Sequence, residues 1–110
     1  MYTRSAIFCG RILPGRQEEF YTAVEERLLP AWRQMLHAID VRLYRPVRQD
    51  DGTAQIFLVQ EIDYPSLEAI DEALSSSRRE AAKAALESVQ PLYEGRHYHY
   101  VYQKLTGERA

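Results

Sequence analysis

Apolar side chains crowd both faces of residues 4–12 (RSAIFCGRI), a β-prone run that Leu13-Pro14-Gly15 breaks off. Period two sets Ile7 and Cys9 on one face and Ala6, Phe8, Gly10 and Ile12 on the other. Such a strand is expected at the centre of a sheet, covered on both sides. From Arg16 to about Ala38 the spacing becomes helical. Phe20, Val24, Leu28, Ala31 and Met35 form one stripe, with Glu18 and Glu19 in the first turn. Pro30 lacks the N–H that would bond the Glu26 carbonyl, so a kink or restart is expected there.

Two further strand-like runs, Val41 to Val47 and Ala54 to Ile62, flank a turn containing Asp51-Gly52. Pro46 marks the first arm as an edge strand, whereas QIFLVQEI is apolar on both faces and reads as central. Tyr64-Pro65 then opens a helix with proline at its first position, carrying Leu67, Ile70 and Leu74. Ser77-Arg78-Arg79-Glu80 has capping-box spacing and starts another helix, which stops near Pro91. After Gly95 a last strand runs from Arg96 to Leu105. Strand, helix, strand, strand, helix pair, strand is the βαββαβ order of an α+β ferredoxin-like domain. It implies a four-stranded antiparallel sheet with helices on one face. The bare sheet face needs cover, and a second copy of the chain supplies it most simply.

The 110 residues are expected to form one domain over 1–110, with 45% hydrophobic and 27% charged residues. A net charge of −2 gives no basic face for nucleic acid. The local groups Arg42, Arg45, Arg48 and Arg78, Arg79 read as solvated. No apolar run reaches membrane-spanning length, and the first residues lead into a strand rather than a signal-peptide core. The single Cys9 cannot form an internal disulfide, so the cytoplasm is the expected compartment.

Three stretches carry a resemblance. These are the helix opening LPGRQEEF and closing LLPAWRQM, the strand-to-helix passage FLVQEIDYPSLEAIDEAL, and the terminal strand HYHYVYQK. Together they resemble the dimeric α/β-barrel superfamily, which includes antibiotic-biosynthesis-monooxygenase-like and EthD-like proteins. The resemblance implies two sheets paired in a barrel, helices outside, and a pocket between sheet and helices. Its members include cofactor-independent oxygenases, haem-degrading enzymes, isomerases and proteins without assigned activity. Monooxygenase-like members carry an aromatic residue two places after the strand glutamate. Here Glu61 is followed by Ile62 and Asp63, with Tyr64 one step late. LSSSRREAAKAALESV lacks the histidine that haem-degrading members use, so haem is disfavoured and no cofactor is expected.

The candidate chemistry concentrates on the last strand. His97, His99 and Val101 share one face, and Tyr98, Tyr100 and Tyr102 the other, so only one set can face the helices. The two histidines lie roughly 7 Å apart along the strand, and a metal would need further ligands. His37, Glu61 and Asp63 are not placed to supply them, so no metal is expected. Tyr44 on the hairpin edge, Trp32 beside the first helix's buried stripe, and Glu61 complete the ligand-pocket candidates. Glu61 needs a partner such as Arg42 or Arg45 on the adjacent strand. Cys9 reads as a small apolar filler, having no activating neighbour. Two functions fit. One is a dimeric small-molecule-binding or structural module with no assignable reaction. The alternative is a cofactor-independent monooxygenase-like enzyme acting on a small aromatic or polyketide-like compound.

Overall fold

The computed structural model describes residues 1–107. The first strand, β1 (Tyr2–Ile12), runs down the middle of one antiparallel sheet. It lies between β3 (Ile56–Tyr64) and β4 (Tyr93–Gln103), and β2 (Asp40–Tyr44) forms the outer edge beyond β3. The order β2-β3-β1-β4 with helices packed on one face is the ferredoxin-like α+β arrangement.

The first helical region is broken. Helix α1 (Gln17–Ala23) passes into a π-helical stretch, Val24–Leu28, before α2 (Leu29–Arg33) restarts with Pro30 in its first turn. The Leu29 N–H donates to the Val24 carbonyl, five residues back. A wider turn ahead of Pro30 is a regular way to take in a residue that lacks the N–H and crowds an α-helical turn. The helix ends at Arg33, earlier than the apolar stripe suggested.

Both downstream helices start away from their expected places, the first two residues late and the second with its cap one residue early. Ser66, not Pro65, opens α3 (Leu67–Ser75), its Oγ accepting from the Ala69 N–H at 3.0 Å. Ser76, not Ser77, caps α4 (Ser77–Val89) and accepts from the Arg78 N–H at 3.1 Å. A short 3₁₀ turn, Gln90–Leu92, uses Pro91 to end the helix and lead into β4.

Two irregularities shape the sheet. Phe8 pairs with Leu58 and Cys9 with Ile56, so Phe57 is an extra residue, a bulge. Phe57 joins the helix-side core, its ring 5.5 Å from Phe20 and 5.1 Å from Tyr93. The Tyr21 hydroxyl donates to its carbonyl at 2.7 Å. Gly10 and Gly95 face each other across β1 and β4, both with positive φ. A Cβ on Gly10 would lie 2.2 Å from the Glu94 carbonyl oxygen, so backbone approaches there at a distance only glycine permits.

The sheet face away from the helices is less apolar than the sequence pattern implied. Thr3, Ser5, Glu61 and Asp63 stand on it beside Ile7, Cys9 and Val59. Thr3, Arg42 and Lys104 converge on the Asp63 carboxylate.

Candidate functional site

A cavity of about 260 Å³ opens between the sheet and helices α2, α3 and α4. Its floor follows from strand register. Ala6 on β1 pairs with Gln60 on β3 and with His99 on β4, so these three side chains form one row. A methyl group at the centre of that row leaves volume that a larger residue would fill. The next row, Leu58–Phe8–His97, closes the floor on one side, and Ile62–Arg4–Val101 lies on the other. Trp32, Met35, Leu74, Ala82 and Leu86 supply the apolar roof. Ala82 on α4 again presents only a methyl group.

The polar groups of the cavity are mostly cationic. Arg4, Arg79 and Lys83 line it against a single carboxylate, Glu87. Arg79 is held at the rim by donating to the Leu74 carbonyl at 3.2 Å. Arg4 has no hydrogen bond or ion pair among the described residues. Burial pulls its guanidinium below the ordinary arginine value, with Tyr64 opposing and Arg79 adding to the shift.

His97 stacks on Phe8 with ring centroids 4.9 Å apart, and His99 meets His97 edge-on at 4.9 Å. Both imidazoles are held neutral. Burial and then the Arg4 charge lower His97, while burial, Arg4, His97 and Arg79 bring His99 down to about 4. Gln60 is 4% exposed and its Oε1 has no hydrogen-bond partner.

Of the pocket candidates, Trp32, His97 and His99 line this cavity. The other pocket candidates do not. Tyr98, Tyr100 and Tyr102 project from the opposite sheet face, where Tyr100 and Tyr102 stack with centroids 6.3 Å apart. Of the two alternatives that period two left open, the histidines have taken the helix side. Glu61 also lies on the face away from the helices, where it accepts from Arg42 Nε at 3.2 Å. The Tyr44 hydroxyl donates to the same carboxylate at 3.2 Å. Tyr44 borders a separate, wider hollow of about 640 Å³ between α1 and β2, rimmed by Glu18, Glu25, Arg33 and Arg45. His37 pairs with Glu72 on α3 at 3.0 Å.

Arg4, Gln60 and Arg79 were not among the sequence candidates. Arg79 was read as solvated, yet it borders the cavity. Arg4 was within reach of the strand pattern, since it shares the face of Ala6 and Phe8 at period two. Gln60 carried no signal, because a lone amide in an apolar strand has no characteristic spacing.

No family model matches the chain, and no curated protein matches it. Solved structures do. An ethyl tert-butyl ether d (EthD) family protein from Bacillus halodurans superposes with a TM-score of 0.72 at 16% identity, covering 96% of this chain and all of its own. The likeness is one of fold, a ferredoxin-like α+β domain. SnoaB, a cofactor-independent oxygenase from Streptomyces nogalater, matches with a TM-score of 0.63 at 14% identity, covering 96% of this chain and 94% of its own. A dimeric protein of unknown function and ferredoxin-like fold from Bacteroides fragilis matches at 0.64 and 10% identity, covering 94% and 95%. The neighbours are of mixed or unknown function, and no specific reaction follows from them.

Proposed function

We propose that this protein is a small-molecule-binding module that holds its ligand in the cavity between sheet and helices and works as a homodimer in the cytoplasm. The Gln60–Ala6–His99 row carries the reading. It places an unpartnered amide oxygen and a neutral imidazole on either side of a gap beneath an apolar roof. A few convergent polar groups in an apolar concavity are the usual make-up of a ligand site, and this volume suits a one- or two-ring compound.

Binding is favoured over turnover by the state of the titratable groups. A general base works best with a pKa near the working pH, and His99 at about 4 is a weak base at neutrality. The tyrosines that might hold a phenolic substrate face away from the cavity.

The homodimer reading rests on the tyrosine stripe of β4. Tyr98, Tyr100 and Tyr102 stay 41–52% exposed on the sheet face without helices. A second sheet laid on that stripe would bury them. No helix among the described residues is long and apolar enough to cross a membrane. The lone Cys9 suits a reducing compartment.

Trp32 is the chain's single tryptophan, so its indole N–H gives one NMR resonance that reports on the cavity roof. One- and two-ring aromatic fragments should shift that resonance in the native protein and leave it unmoved in Ala6→Leu, whose side chain fills the gap. Fragments that bind Ala6→Leu equally well would refute the reading.

A further inference from the structure

We propose that the cavity selects an organic anion, an apolar body under Trp32 and Leu86 with a carboxylate or comparably acidic group against Arg4 and Arg79. This rests on the binding reading above and names the class of ligand.

Three cationic side chains, Arg4, Arg79 and Lys83, come from two separate elements and share the space with one carboxylate, Glu87. Arg4 is the informative member. It projects from the central strand on the helix side, with Ile62 and Val101 as its neighbours in the row. Burying a guanidinium carries a large desolvation cost unless an acceptor compensates it. The part-buried Arg42 obeys that rule. Arg42, on the other sheet face, makes a two-point contact with Asp63, with further bonds to Asp40 and Glu61. Arg4 has no such partner among the described residues, although it is the arginine that lines the cavity from the sheet.

The remaining polar groups agree with an anion. A guanidinium offers a planar fork of donors suited to a carboxylate. His97 and His99 are neutral, so each can offer one N–H without adding an acidic group. Gln60 Oε1 is a buried acceptor without a donor, which favours a ligand that also carries a hydroxyl or N–H. The apolar roof excludes a small inorganic ion as the sole occupant, since it would leave Trp32, Met35 and Leu86 facing an unfilled space.

The test compares 2-naphthoate with its neutral isostere 2-naphthamide by titration calorimetry at pH 7.5. Naphthoate should bind the native protein at least about tenfold more tightly, the factor expected for one charge-assisted contact. Arg4→Met should abolish that preference while still binding naphthamide. Arg4 has no partner to strand, so its variant should fold. Naphthamide binding as tightly as naphthoate, or an unchanged preference in Arg4→Met, would overturn the anion inference and leave the cavity reading standing. If neither probe binds and the Trp32 resonance does not move, both fall.

Discussion

The His97 imidazole lies over the Phe8 ring at 4.9 Å between centroids, with the two planes 30° apart. Phe8 and His97 are direct partners across β1 and β4, so the stack fixes one side of the cavity floor. Replacing His97 by Ala should lower stability by about 1 kcal/mol, the usual worth of such a pair. Urea unfolding of the variant measures it. A stability equal to the native protein would mean the ring contact contributes nothing.

Gln60 gives a prediction of the opposite sign. Its buried Oε1 lacks a donor, and an unsatisfied buried acceptor costs about 1–3 kcal/mol. Gln60→Leu keeps the approximate shape and removes that cost, so the ligand-free variant should unfold at higher urea concentration. A destabilised Gln60→Leu would show that the amide is satisfied in solution and has no vacancy to offer a ligand.

The pH dependence of stability should show two windows. His99 is lowered to about 4 in the folded chain against about 6.5 when unfolded. The unfolded state binds its proton first, so stability is full above about 6.5 and declines as pH falls through 4. Asp63 is held well below the usual carboxylate range, chiefly by Arg42, with Thr3 and Lys104 assisting against the opposing effect of burial. Its contribution is present above about 4 and is lost only as pH falls further. His99→Gln should shrink the upper window to the part that the lowered His97 contributes and leave the lower one in place. Histidine ring NMR should find a midpoint for His99 near 4, and a midpoint near 6.5 would contradict the burial described.

Asp63 also anchors the far sheet face. Arg42 Nη1 and Nη2 reach its two oxygens at 2.7 and 2.9 Å, and Thr3 Oγ1 donates at 2.6 Å. Asp63→Ala removes a nearly buried acceptor from three donors and should cost roughly 3 kcal/mol. A cost below about 1 kcal/mol would place this network among ordinary surface ion pairs.

The order of strands and helices was legible because each change of period is long and marked by a breaker. Pro30 announced the helical restart, and the π-helical turn before it is how the chain meets the missing N–H. Alternation also split β4 into a histidine face and a tyrosine face. It did not say which face meets the helices, because that depends on the register of β4 against β1 and on the Gly10–Gly95 approach. The α4 cap slipped by a residue because Ser76 and Ser77 compete for the same N–H groups, and α3 starts past Pro65 because Ser66 supplies its cap. Glu61 was expected to pair with Arg42 or Arg45, and Arg42 is its direct partner across the β2–β3 ladder. The cavity cations were missed for a simpler reason. Arg4 and Arg79 are brought together only by the packing of α4 on the sheet, and an isolated arginine looks solvated in any window of sequence.

The central claim is that the sheet–helix cavity holds an apolar organic anion, and the anomalous scattering of a bromine atom tests it most directly. A crystal grown with 6-bromo-2-naphthoate should show the bromine peak under the α2–α4 roof, with the carboxylate against Arg4. A peak on the tyrosine face of β4 instead, or an empty cavity at saturating ligand, would contradict the account.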